Sequence, residues 1–254
     1  MVDRTHPINR GLVGYWQCDG EGVLVPDYSG FGNNGVGTAV GLQDSHHGGN
    51  ALSFVNASNS AVNVPANAAI AGAGMRSFVG WINPTSTPFA ARAIFAYGVN
   101  ATNNAFDIFS GGAAGGDIYV YGNSNDVRTT SGGLISANTW NHLAVTYNGG
   151  GLSTTSLQIY INAVVPSLTL VPGSSGLALN TTASQVQIGA DFTGTQSYSG
   201  GIEGVRWYNR ALDPVEVAQL YAEPYAGIFD AAASIFNSTT SIPPLPLMGQ
   251  IWLA

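Results

Sequence analysis

The sequence contains no lysine, a single cysteine and no long apolar run, and each shortage removes a class of explanation. Its cations are seven arginines (Arg4, Arg10, Arg76, Arg92, Arg128, Arg206 and Arg210), scattered over 254 residues and outnumbered by fourteen carboxylates. Neutralising phosphate takes clustered Lys or Arg, so no nucleic-acid partner is expected. No apolar stretch approaches the roughly 20 residues that span a bilayer, so no membrane partner is expected either. Cys18 alone cannot close an intramolecular disulfide, and MVDRTHPINRGLVGYW carries charge and Pro7 where a secretory signal needs an apolar run. Both point to synthesis in a reducing cytoplasm. Charge is scarce at 8%, but with 45% hydrophobic and 10% aromatic residues the composition is that of a folded chain, not a disordered one. The length suits one sizeable core and a tail.

What is abundant is β-forming residues between turn formers. Short runs rich in Val, Ile, Tyr, Phe and Trp recur between Gly, Asn and Ser clusters, predicting an all-β, two-sheet antiparallel sandwich. Strands are expected at 11–17, 34–40, 50–55, 60–64, 76–82, 92–97, 105–109, 117–121, 138–147, 156–162, 185–190 and 200–209. Leu157, Ile159 and Ile161 alternate with Gln158, Tyr160 and Asn162, as expected of a sheet with one buried face. One short helix is legible at 213–222. Asp213 caps it, Pro214 suits its first turn, Glu216 completes a capping box and Pro224 stops it, with Val217, Leu220 and Tyr221 as the buried stripe. Residues 231–254 carry no charge, and their prolines favour an extended course. The domain plan is therefore an N-terminal segment 1–10, a sandwich 11–222 and an apolar arm 223–254.

Six segments, in order, carry a family resemblance. They are Gly11-Leu-Val-Gly-Tyr-Trp16 with Asp19-Gly20; the Asp27–Gly35 loop; Ser77-Phe-Val-Gly-Trp-Ile-Asn-Pro84; Trp140-Asn-His-Leu-Ala-Val-Thr-Tyr-Asn-Gly149; Leu157–Asn162 with Gln187–Ala190; and Gly201-Ile-Glu-Gly-Val-Arg-Trp-Tyr-Asn-Arg-Ala-Leu212 running into the capped helix. Together they resemble the laminin-G-like branch of the concanavalin A-like jelly rolls, found in adhesins, lectin-like modules, glycosidase appendages and phage proteins. The stretch Leu220–Phe229 and the apolar end are similar to versions encoded in bacteriophage structural regions. Two positions depart from the pattern: Ala163 stands where a turn glycine is usual, and Gly204 where a second carboxylate follows the one at Glu203.

Glycoside cleavage needs two carboxylates facing one bond, and Asp107, Asp117 and Glu203 are each alone on their strand, so no enzyme is expected unless acids pair across strands. Asp27, Asn33 and Asn34 offer the oxygens a calcium ion takes; the same residue types also make Asx turns. The resemblance implies a structural calcium near this loop, with Glu203 as its acid from the closing strand. No other cofactor is required. Tyr97, Tyr119, Tyr121 and Tyr198 are the aromatic candidates for glycan contact, whereas Trp16, Trp81, Trp140 and Trp207 are expected in the core. His46 and His47 read as a polar turn, and Arg206 and Arg210 as partners of Glu203, Asp213 or Glu216. Ile242, Leu245, Leu247, Met248, Ile251 and Trp252 need a dry surface, which predicts an arm lying on a partner. The function expected is a non-enzymatic virion surface or decoration protein of a bacteriophage, assembled in the host cytoplasm. It would bind a major capsid or other virion protein, form a homo-oligomer such as a trimer, and contact host glycans through outward loops. The alternative is a carbohydrate-binding adhesin or lectin-like module of a bacterial surface or secreted protein.

Overall fold

The computed structural model describes residues 2–20, 23–56, 59–68, 70–85, 92–111 and 116–228. In chain order the strands are β1 (Leu12–Trp16), β2 (Leu24–Val25), β3 (Gly35–Thr38), β4 (Gly41–Asp44), β5 (Asn50–Phe54), β6 (Ala61–Val64), β7 (Arg76–Pro84) and β8 (Arg92–Gly98). They continue as β9 (Ala105–Ser110), β10 (Ile118–Tyr121), β11 (Val127–Thr129), β12 (Asn141–Tyr147), β13 (Leu157–Ile161), β14 (Leu168–Leu170), β15 (Val186–Ile188) and β16 (Gly200–Tyr208), followed by the helix α1 (Pro214–Ala222). A seven-stranded sheet runs β13-β12-β7-β16-β5-β4, with β1 also on β16; a nine-stranded sheet runs β14-β11-β10-β9-β8-β15-β6-β3-β2. All strand pairings within them are antiparallel. The expected sandwich is the fold. Strands β2, β4, β11 and β14 were not expected; each is two to four residues long, too short for alternation to show.

The inner faces meet around Trp16, Trp207, Phe54, Phe78, Phe95 and Phe106, all fully buried. Arg76 is buried among them because its donors are spent: Nε and Nη2 on the carbonyls of Gly74 and Gly72, Nη1 on Thr181 Oγ1 and the Tyr97 hydroxyl. A second apolar cluster lies on the other side of the seven-stranded sheet, where Val2, Ile8, Val217 and Leu220 cover Val79, Ala144, Tyr160 and Tyr208. That corrects the reading of β13 as a strand with a polar second face: Tyr160 is buried there. The helix begins as expected, with the reciprocal Asp213–Glu216 capping box, but only Val217 and Leu220 of its stripe are buried. Tyr221 is 39% exposed and stacks on Trp81 at 5.8 Å.

Both sequence departures have backbone causes. Gly204 has φ +62° and sits where the register of β16 with β7 shifts. The first part of β16 pairs β5 and the last part pairs β1, so the strand must bend here, and glycine bends without a side-chain penalty. Asn162 and Ala163 have φ +52° and +63°, the left-handed pair of a tight hairpin turn closed by Ile161 and Val164. Alanine is strained in that conformation. Ala163→Gly is therefore expected to raise the unfolding free energy in urea by about 1 kcal/mol; a loss would show that the turn is not the one described.

Candidate functional site

The helix and the N-terminal segment cover much of the outside of the seven-stranded sheet. A cleft of about 520 Å³ lies beside that segment, lined among others by Arg4, Arg10, Phe31, Asn33 and Asn67, but aromatic rings gather at a cleft on the outside of the nine-stranded sheet. Alternation decides what faces it. In β9, Phe106 and Ile108 enter the core, so Asp107 and Phe109 point outward; in β10, Ile118 and Val120 enter it, so Tyr119 and Tyr121 point outward. The register then aligns these residues in rows. One row runs Asn63, Gln187, Ala96, Asp107, Tyr121 across β6, β15, β8, β9 and β10; a neighbouring row runs Ala93, Phe109, Tyr119, Arg128 across β8 to β11.

Phe109, Tyr119 and Tyr121 form one aromatic patch, with centroids 6.0 Å apart for Phe109–Tyr119, 6.2 Å for Phe109–Tyr121 and 6.1 Å for Tyr119–Tyr121. Beside them a cleft of about 410 Å³ opens between the patch, Asn100 and the loop 191–196. That loop is shaped by Asp191, whose Oδ1 accepts from the amides of Thr195 and Gln196 and whose Oδ2 accepts from the Thr193 hydroxyl. The result is an aromatic wall facing Thr193, Thr195 and Gln196, a combination of apolar face and polar rim suited to a small polar ligand.

Asp107 lies at the bottom of this cleft. It is fully buried; neither carboxylate oxygen has a partner in good hydrogen-bond geometry, and the backbone amide of Tyr97 is near enough to favour its charged form slightly. Burial and, secondarily, the Asp191 carboxylate push its pKa well above the usual carboxylate range. The phenols of Tyr119 and Tyr121 are raised as well, by burial and then by Asp126, with Asp107 acting also on Tyr121. Of the acids solitary on their strands, Asp107 on β9 has Asp191 of a distant loop near enough to raise its pKa, whereas Glu203 meets His46 and His47.

The sequence candidates distribute unevenly. Tyr119 and Tyr121 are in the patch. Tyr97 and Tyr198 are corrected to buried positions: Tyr97 bonds Arg76 and the Ile70 carbonyl, and Tyr198 is 1% exposed. Trp16 and Trp207 are core residues, but Trp81 faces the outside of its sheet and Trp140 is half-buried at a strand start. The rings of His46 and His47 pack on Trp81 at 4.4 and 4.8 Å, and His47 Nδ1 lies 2.8 Å from Glu203, so these histidines are not a simple polar turn. His142, in the same cluster, lines a cavity of about 20 Å³, room for one water molecule. Its pKa is pushed down to about 3 by burial, then by Arg206 and His47. Arg210 pairs with Glu216, whereas Arg206 donates to the carbonyls of Ala226 and Pro224 rather than to an acid.

Asp27, Asn33 and Asn34 are together in one loop. Asp27 Oδ1 accepts from the Tyr15 and Ser29 amides, Oδ2 from the Asn33 amide and the Ser29 hydroxyl, and Asn34 Oδ1 accepts from the Asp27 amide. Glu203 directs its carboxylate to His46 and His47 instead. Among the described residues no group of three acidic, histidine or cysteine side chains is placed to hold a metal ion. The arm residues Ile242, Leu245, Leu247, Met248, Ile251 and Trp252 lie outside the described residues.

A family model described as the concanavalin A-like lectin/glucanases superfamily, of laminin-G type, matches residues 56–218, more than half of the chain. The chain belongs to that superfamily. No curated protein matches it significantly. Among solved structures it is similar to domain 4 of an extracellular arabinanase from Geobacillus stearothermophilus in complex with arabinotriose, at 18% identity and TM-score 0.61, covering 83% of this chain and 98% of that one. It is also similar to the binding domain of Paraclostridial mosquitocidal protein 1 (17%, TM-score 0.62, 86% of this chain and 53% of that one). The sialidase of Trypanosoma rangeli is similar too (15%, TM-score 0.58), with 84% of this chain but only 33% of that one covered. At such identities the likeness is one of fold.

Two outcomes follow from the geometry. Because the Asp27 loop is closed by its own hydrogen bonds, the melting temperature is expected to be the same in excess EDTA as in millimolar calcium; a rise with calcium would show that the ion enters the loop. A carboxyl group whose folded pKa lies above its unfolded value costs stability once the pH exceeds the unfolded value, and the cost grows as pH rises toward the folded one. Asp107→Asn is therefore expected to raise the melting temperature at pH 8, with the gain shrinking toward pH 4. A loss at pH 8 would mean that the carboxylate has a stabilising partner.

Proposed function

We propose that this domain is a non-catalytic carbohydrate-binding module whose binding surface is the outside of the nine-stranded sheet. The observation that carries the reading is the Phe109–Tyr119–Tyr121 patch, three aromatic side chains held side by side at a cleft with a polar rim. Sugar rings present apolar C–H faces and equatorial hydroxyls, so they suit rings on one side and Thr, Asn and Gln on the other. The arabinotriose complex of the similar arabinanase domain, a chain covered almost end to end, supports the choice of ligand class. Similarity to the binding domain of the mosquitocidal protein supports a role in recognition over one in cleavage. The virion role rests chiefly on the arm, outside the described residues, and nothing among those residues favours it over glycan binding.

The test is a panel of plant, bacterial and host oligosaccharides, measured by calorimetry with the full chain. Tyr119→Ala and Tyr121→Ala are each expected to weaken binding about tenfold, or ~1.4 kcal/mol, without changing the far-ultraviolet spectrum. Absence of binding across the panel, or variants that bind as well as the parent, would overturn the assignment.

A further inference from the structure

On the reading of the cleft as a sugar site, we propose that it selects a glycan bearing a free amine, an amino sugar, whose ammonium group meets Asp107. Asp107 is the feature that a generic sugar platform leaves unexplained. Its two oxygens have no partner in good hydrogen-bond geometry, the Tyr97 amide compensating only a little of the burial, and the residue, 0% exposed, lines the cleft. An unpartnered buried carboxylate is costly, and a site that retains one is built to receive a donor.

The surroundings choose the donor. Asp191 stands close enough to act on Asp107 electrostatically, and Asp126 acts with Asp107 on Tyr121. The residues lining the cleft are Asn100, Asp107, Phe109, Tyr119, Tyr121 and the loop 191–196, with no cation among them. Arg128, the nearest arginine in the rows, pairs in register with Tyr119 on the neighbouring strand and is outside the lining. Arg128 acts on Tyr119 from that neighbouring strand, but the charged side chains in the lining itself are the acids Asp107 and Asp191, so a sugar carboxylate or sulfate reaching them would enter against like charge. A neutral hydroxyl would offer Asp107 one donor and no charge, whereas an ammonium offers three donors and a positive charge that draws the acid into its ionised form, its proton passing to solvent as the ion pair forms. The flanking aromatic rings offer a surface on which the C–H face of a pyranose can stack, which a lysine side chain lacks, and they add cation–π attraction for the amine.

Calorimetry at pH 6 compares a fully deacetylated glucosamine tetramer, its N-acetylated counterpart, a neutral glucose tetramer and a uronic acid tetramer. The amine tetramer is expected to bind at least tenfold tighter than the acetylated and neutral ones, with the uronate weakest. Asp107→Asn, expected to fold at least as stably as the parent, should lose that preference, so that the amine and neutral tetramers bind within about twofold of one another. Equal binding of the amine and neutral tetramers would overturn the amine selectivity while leaving the glycan site standing; no binding to any of them would also overturn the selectivity, and absence of binding across the wider panel would remove the glycan site as well. A preference that survives in Asp107→Asn, or a trilysine peptide that binds as tightly as the amino sugar, would also overturn the proposal. So would calcium that binds in an Asp107-dependent manner and displaces the amine, since the carboxylates would then hold a metal.

Discussion

The antiparallel register of β9 with β10 is the constraint on which the candidate site depends. Tyr121 stands opposite Asp107 and Tyr119 opposite Phe109, and that pairing alone gathers the aromatic rings and the buried acid on one face. Side chains alternate with a period of two, so a slip of one residue would send Asp107 and Phe109 into the core and Phe106 and Ile108 into the cleft. The core prevents the slip. Phe106 packs against Tyr97 and Trp207, with the rings 5.9 and 5.8 Å away, and Ile108 and Val120 are fully buried beside them.

The two sheets use their outer faces differently. On the seven-stranded sheet the outside is a second core, closed by the N-terminal segment and α1. Asn9 ties these together by donating to the carbonyls of Asp3 and Gly227, and Arg206 reaches over Tyr15 to the carbonyls after the helix. Over the nine-stranded sheet only a loop, 191–196, is described above the aromatic rows, and it forms the wall of a cleft rather than a cover. A double-layered core can tolerate one group that opposes folding. Asp107 is such a group, and its cost is most readily understood if a ligand, rather than the fold, uses its oxygens.

The sequence was most informative where strands are long. Twelve expected strands correspond to observed ones, because runs such as Phe106–Phe109 and Leu157–Ile161 carry enough residues for composition and alternation to register. The capping box at Asp213 was legible because it is a local motif. What escaped were pairings supplied by distant segments. Trp81 and Trp16 look alike in sequence, each an aromatic in a Gly-rich strand, yet Trp16 points between the sheets and Trp81 points out, under His46 and His47. Tyr97 and Tyr198 resembled Tyr119 and Tyr121 as platform candidates, but only packing separates a phenol in the core from one at a cleft. Within the aromatic patch, Phe109 was missed although the alternation already set it on the same side as Asp107.

By itself, then, the sequence determined which residues share a face: alternation is a property of the local backbone and needs no knowledge of neighbours. The two-sheet class and the order of the long strands followed from that pattern and from the family motifs. Which face would be covered, and by what, was decided only by the tertiary structure. Coverage depends on segments far apart in the chain arriving at the same place, as the 191–196 loop arrives over β9 and β10. The burial of Asp107, and its electrostatic coupling to Asp191, arise from that arrival and have no local signature in either stretch of sequence.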